Sequence, residues 1–139
     1  MKIKNGISLY NYAKTLIPGG TTLFSKRSEL YLPYKWPAYF TKAKRINVWD
    51  LKGNKYLDMF CAVGTSILGY GNEKVNKSVL KNIENGNMST LNCPEEVLLA
   101  KTIIKHHSWA SMAKFTRGGG EANALAIRIA RSFTKKKNV

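Results

Sequence analysis

The apolar residues of this chain change their spacing several times, and each change marks an element. From Ser8 to Ile17, Leu9, Tyr12, Ala13 and Leu16 recur at i, i+3, i+4, i+7, which predicts a short helix with Ser8 as its N-cap. Pro18-Gly19-Gly20 ends it. Residues 21–37 have no period, are rich in aromatics and contain Pro33 and Pro37, so they predict an irregular arm lying across a surface or a partner. β-rich runs follow. "AYFTKAKRINVWD" and "KYLDMF" flank the short "LKGN" segment with Gly53-Asn54, which predicts a hairpin. "CAVGTSILGYG" is small and glycine-rich. Asn72 then predicts the cap of a helix through "EKVNKSVLKNIENG", with Val75, Val79 and Ile83 on one face and Gly86 as its stop. After the loop "NMSTLNC", Pro94 suits a first helical turn and Glu95 and Glu96 suit the N-terminal dipole. That helix is expected to run to about Lys105 and to bury Val97, Leu98 and Ile104. "MAKFT" predicts a short strand. Beyond Gly118-Gly119-Gly120, a stripe of Ala122, Leu125, Ala126, Ile129, Ala130 and Phe133 predicts an amphipathic helix with Asn123, Arg128 and Arg131 opposite. No internal repeat is visible.

Composition narrows the class. A length of 139 residues suits one domain, and 44% hydrophobic with 22% charged residues is a globular composition. No run of ~18 apolar residues exists to span a membrane. The N-terminus carries Lys2 and Lys4 but no continuous apolar stretch of the kind a signal peptide needs, so a cytoplasmic location is expected. Cys61 and Cys93 stand far apart, without a C-x-x-C pair, and give neither a disulfide framework nor a zinc site. His106 and His107 are adjacent and diverge on a helix, so they read as a polar helix end rather than a chelating pair. No metal is expected.

The net charge of +15 raises nucleic acid as a partner. Against it, the Lys and Arg residues are scattered singly or in pairs, apart from Lys135-Lys136-Lys137. No aromatic-interleaved basic motif of the RNA-binding type is present. Two other sources account for the charge: a more acidic remainder in a longer protein, and a bias toward Lys, Asn and Ile. Neither nucleic acid nor membrane is expected as a partner.

The segment with chemistry in it is "FTRGGGEANALAIRIAR", a strand, three glycines and a helix. A helix start leaves about four N–H groups without intrahelical partners and carries partial positive charge. Glycines let an anion approach that backbone without a Cβ in the way. This order makes a phosphate site, and its plainer alternative is a flexible turn using glycine for unusual dihedrals. A P-loop is excluded because no Lys follows the glycines, and the dinucleotide pattern fails because Asn123 stands where its third glycine belongs. Glu121 in the first turn repels a phosphate, so its side chain must turn aside, to a backbone N–H or a neighbouring basic group.

The same segment resembles the cofactor-phosphate segment of class III aminotransferases, commonly N-S-G-T-E-A followed by an R-x-A-R helix. The resemblance runs along nearly the whole chain. "LIPGG" is similar to the opening of the glutamate-1-semialdehyde 2,1-aminomutase branch. "RINVWDLKGNKYLDMF" resembles its W-D-x-D-G-x-x-Y-x-D hairpin, with Lys52 for the second acid. "GTSILGYGNEKVNKSV" resembles its G-x-x-x-L-G-H-x-x-P-x-V stretch, with Tyr70 for the His, and "CPEEVLLAKTIIK" resembles the helix before the cofactor strand.

The resemblance implies an α/β fold: the N-terminal portion of a fold-type-I PLP-dependent transferase, incomplete at its C-terminal side. Residues 1–37 would be the N-terminal helix and arm, 38–110 a small-domain segment with the hairpin and helices, and 111–139 the first strand and helix of the large domain. It implies pyridoxal 5′-phosphate as cofactor, a small amino or keto substrate, amino-group transfer, and a homodimer in the full-length form. Gly118, Gly119, Gly120 and Glu121 would bind the cofactor, with Gly119 and Gly120 offering backbone N–H groups. Gly118 and Gly120 stand where the common pattern has hydroxyl residues, and Arg117 stands at the usual Asn. Ala62, Val63 and Gly64 correspond to a substrate-facing loop, often S-W-G in the aminomutase branch. Gly64 has the plain-turn reading beside it. The family's Schiff-base lysine, its pyridine-pairing aspartate and its ring-stacking aromatic follow the phosphate helix, so no lysine of this chain is assigned a catalytic role. The expectation is an N-terminal segment inactive alone. Two alternatives stand beside it: a non-catalytic phosphate-binding module and a basic nucleic-acid-binding protein.

Overall fold

The computed structural model describes residues 5–86 and 88–138. The chain divides into two compact units, Met1–Asn87 and Met88–Val139.

The first unit opens with α1, Gly6–Leu16. The cap is Asn5, not Ser8: the Asn5 side-chain oxygen accepts from the Ile7 N–H at 3.0 Å, so the cap lies three residues before the sequence expectation. Tyr10 and Ala13, three residues apart on one face, are buried. The helix ends as expected, with Pro18–Gly20 forming a single 3₁₀ turn. Gly20 has φ 74°, and a Cβ there would lie 2.8 Å from Cε2 of Tyr10, so only glycine allows this approach.

Residues 21–37 contain no long helix or strand, and part of the segment lies across the surface of α1. Two further 3₁₀ turns, Phe24–Lys26 and Ser28–Leu30, bring the chain back onto α1. Ser28 is buried, the Tyr10 hydroxyl donates to Oε2 of Glu29 at 2.8 Å, and Lys14 forms an ion pair with Glu29. Tyr31 stacks on Trp36, with ring centroids 4.5 Å apart. The segment is therefore held by its own neighbour in sequence.

The single hairpin read from the sequence is a three-stranded antiparallel meander. β1 is Phe40–Lys44, β2 Asn47–Asp50 and β3 Lys55–Leu57. Lys42 faces Trp49 and Lys44 faces Asn47; Trp49 in turn faces Lys55. The extra turn falls at Arg45, left-handed at φ 53°, a residue type that gives no turn signal. The second turn is the expected one: Gly53 has φ 87°, and Oδ1 of Asp50 accepts from the N–H groups of Lys52 and Asn54, each at 2.9 Å. Lys42 and Lys55 place their ammonium groups 5.0 and 5.8 Å from the Trp49 ring centre, shielding that ring with aliphatic stems. After a loop, α2 runs over Glu73–Glu84. Asn72 caps it by accepting from Lys74 and Val75, and Gly86 at φ 91° follows its end.

The second unit holds α3, Pro94–His106, and α4, Gly119–Thr134. Nδ1 of His107 sits 2.9 Å from the Ile103 carbonyl, a helix-end contact. "MAKFT" does not form a strand. A ladder needs a neighbour with free backbone groups, and none of the described residues pairs with it. None of the described residues of this unit is buried: Leu98 of α3 is 62% exposed and Phe133 of α4 88% exposed. Among the described residues the expected burial of Val97 and Leu98 is thus not realised, and Ile104 is half-buried.

Candidate functional site

The start of α4 is built from residues that leave its amides bare. Gly118, the N-cap, has no side chain with which to satisfy them, and no side-chain cap bond is made. The Ala122 N–H is the first to bond back, to the Gly118 carbonyl at 3.0 Å. The amides of Gly119, Gly120 and Glu121 consequently have no partner among the described residues. A Cβ placed on Gly118, Gly119 or Gly120 would meet nothing within 4 Å, so the approach to these amides is open.

Glu121 turns aside in both of the ways the sequence allows. Its Oε2 accepts from the Arg117 backbone N–H at 3.0 Å, and its Oε1 accepts from the Arg117 guanidinium at 2.6 Å. The guanidinium first, and then the backbone N–H, hold this carboxyl below its ordinary range, so it stays an anion with its charge matched by Arg117. The carboxylate is drawn back toward the chain preceding the helix, and the positive end of the helix keeps its three free donors. Backbone N–H groups at a helix start, a matched acid and no overhanging side chain suit a phosphate, so the residues present fit the phosphate end of the cofactor implied by the resemblance.

The second candidate segment, residues 61–64, belongs to the first unit. Cys61, Ala62 and Val63 are all left-handed, at φ 47°, 50° and 59°, followed by Gly64 at 83°. The result is a left-handed turn: Gly64 N–H lies 3.1 Å from the Cys61 carbonyl, Thr65 N–H bonds Ala62 at 3.3 Å and Ser66 N–H bonds Cys61 at 3.0 Å. Each such non-glycine residue costs roughly 1–3 kcal/mol, and Val63 is β-branched, the kind of residue that tolerates this region least. Composition gives no hint of it, because the only glycine in the run comes last. Gly64 is a turn residue with open space where a Cβ would be, and Val63 points outward, 66% exposed.

The loop carrying this turn is closed by two residues that the sequence reading did not single out as a pair. Asp58 follows β3, and its N–H donates to the Ile46 carbonyl at 2.8 Å. Its Oδ1 accepts from the N–H groups of Phe60 and Cys61 at 2.8 and 3.2 Å, and its Oδ2 accepts from the Tyr70 hydroxyl. Tyr70 pairs its backbone with Arg45 in both directions, each bond 2.8 Å long. Burial, then the adjoining Asp58 carboxylate, push the Tyr70 hydroxyl up to about 12. The available signal in the sequence was the tyrosine at a position where the resemblance expects histidine.

The chain is similar to known proteins along its whole length. A family model described as Aminotransferase class-III matches residues 33–139. The glutamate-1-semialdehyde 2,1-aminomutase of Methanothrix thermoacetophila is 37% identical over 139 residues, which is 100% of this chain and 31% of that protein. The 3-aminobutyryl-CoA aminotransferase of Cloacimonas acidaminovorans is 31% identical over 140 residues, 100% of this chain and 34% of that protein. Among solved structures, the PLP internal aldimine form of the FumI protein of Sphingopyxis sp. MTA144 superposes with a TM-score of 0.85 at 28% identity, over 96% of this chain and 32% of that one. The chain spans about a third of the length of the curated relatives it matches.

Proposed function

Because the chain belongs to the class-III aminotransferase family, we propose that it serves pyridoxal 5′-phosphate-dependent amino-group transfer, as an aminotransferase or a glutamate-1-semialdehyde-type aminomutase. The family uses pyridoxal 5′-phosphate, and the fold is that of the fold-type-I transferases. When bound, the cofactor supplies an aldehyde that captures an amino group and a pyridinium that draws off electrons.

The residues of this chain have binding and orienting roles in that proposal. The amides of Gly119 and Gly120, with that of Glu121 and the cap Gly118, hold the phosphate group. Arg117 keeps the Glu121 carboxylate from opposing it. Ala62, Val63 and Gly64 face a small amino or keto substrate. No lysine of the chain is given the Schiff-base role, so the 139 residues alone are not expected to catalyse. In the whole protein, residues 1–37 act as helix and arm, 38–110 as small-domain segment and 111–139 as the beginning of the cofactor domain, in a cytoplasmic homodimer. No helix among the described residues is long and apolar enough to cross a membrane.

The observation that carries the reading is the set of three unpartnered amides at the head of α4, with the one nearby acid already engaged. Phosphorus NMR of pyridoxal phosphate titrated with the 139-residue chain tests it. The resonance is expected to shift and broaden at millimolar concentration, and the response to weaken when Gly119 is replaced by Asp. No band near the lysine-aldimine absorbance, fixed by borohydride to a single lysine, is expected. An unmoved phosphorus resonance refutes the phosphate role.

A further inference from the structure

We propose that Tyr70 is a positioning residue whose hydroxyl, acting through the Asp58 carboxylate, latches residues 61–64 in their left-handed turn. The inference rests on the reading of residues 62–64 as substrate-facing, and it names what holds them there.

Three features of the loop lead to it. The turn is built from L residues with no glycine before position 64, so it needs an outside restraint to persist. The Asp58 carboxylate supplies one by collecting three donors, the N–H groups of Phe60 and Cys61 at the entry to the turn and the Tyr70 hydroxyl beyond its exit. Tyr70 is itself anchored to the meander by its paired backbone bonds to Arg45, and Gly69 beside it permits the approach, since a Cβ there would lie 3.3 Å from Cα of Arg45. The carboxylate thus ties the start of the loop to its end across the strained residues. With its pKa raised to about 12, the hydroxyl stays a protonated donor at ordinary pH. Meanwhile the outer side of the loop is free, with Val63 and Ile67 exposed. Without the latch, residues 61–63 relax toward right-handed dihedrals, and Ala62, Val63 and the Gly64 amide change direction together. A histidine at position 70 has a shorter side chain than tyrosine, so the departure from the family pattern supplies the reach to Asp58.

Amide hydrogen exchange on the 139-residue chain, without cofactor or substrate, is the test. In Tyr70→Phe, exchange at residues 60, 61 and 64–66 is expected to rise about tenfold, while the β2–β3 ladder is unchanged. Asp58→Asn, whose amide can still accept from the backbone and donate to the phenol oxygen, is expected to stay within about threefold of the parent. Adding Val63→Gly to Tyr70→Phe is expected to restore most of the lost protection, because glycine adopts the turn without restraint. The proposal is overturned if Tyr70→Phe leaves these amides unchanged, if the ladder opens with them, if the added glycine restores nothing, or if the parent chain shows no protection there. Failure here removes the latch alone. The substrate-facing role is judged separately, by whether a small amino acid added together with pyridoxal phosphate shifts the resonances of residues 62–64.

Discussion

Helices α1 and α4 are both amphipathic, yet one buries part of its apolar face and the other buries none of it fully. On α1, Tyr10 and Ala13 are buried, and the residues covering them, Gly20, Ser28 and Glu29, lie within 19 positions of Tyr10 in the chain. On α4, no residue of the stripe is buried: Leu125 and Ala130 are half-covered, while Ile129 is 57% and Phe133 88% exposed. The contrast teaches that periodicity reports which face a helix would bury, whereas burial depends on whether the covering segment is present. Local cover forms from local sequence; an apolar residue left in water, as Phe133 is, gains little of the ~25 cal/mol per Å² that burial provides.

Four measurements break or sharpen this contrast. Tyr10→Ala removes the ring at the centre of the α1 clasp together with its bond to Glu29, and is expected to destabilise the first unit by about 3 kcal/mol, read by denaturant midpoint. Gly20→Ala forces a Cβ against the Tyr10 ring at φ 74° and is expected to cost about 2 kcal/mol, read as loss of amide protection across α1. Acid loosens the same clasp by a smaller amount. The Lys14 ammonium first, with a backbone N–H and the Tyr10 hydroxyl, lowers the Glu29 pKa to about 2 from an ordinary 4.5. A depressed carboxylate pKa stabilises the fold above about pH 4.5, and that contribution fades as pH falls toward 2. Glu29→Gln is expected to abolish this pH dependence of α1 protection. Last and smallest, Phe133→Ser on α4 is expected to change stability by less than about 0.5 kcal/mol, since that residue is 88% exposed. A large loss there breaks the contrast.

Legibility in the sequence followed the range of the interactions involved. Asn72 and Pro94 were readable because capping and first-turn proline are decided within three residues, and α2 and α3 begin where these signals place them. The Arg45 turn, which splits the first β run into two strands, was hidden because arginine at positive φ carries no local signature. The strand at "MAKFT" failed for the opposite reason: its local pattern suits a strand, but pairing needs a partner. At the candidate site, the glycines before α4 and the turning aside of Glu121 were legible from charge and geometry. The left-handed run at Cys61–Val63 was not, because its support comes from Asp58 and Tyr70, which flank it at a distance no short motif spans.

The α1 clasp also has a consequence for the order of events during synthesis. Its most distant bond joins residues 19 apart, so it can close within seconds of Glu29 leaving the ribosome, given translation at about 5–20 residues per second. The helices that follow have no such local clasp: Val79 of α2, Leu98 of α3 and Ile129 of α4 stay 49%, 62% and 57% exposed, so nothing of comparable range fixes their apolar faces as they emerge.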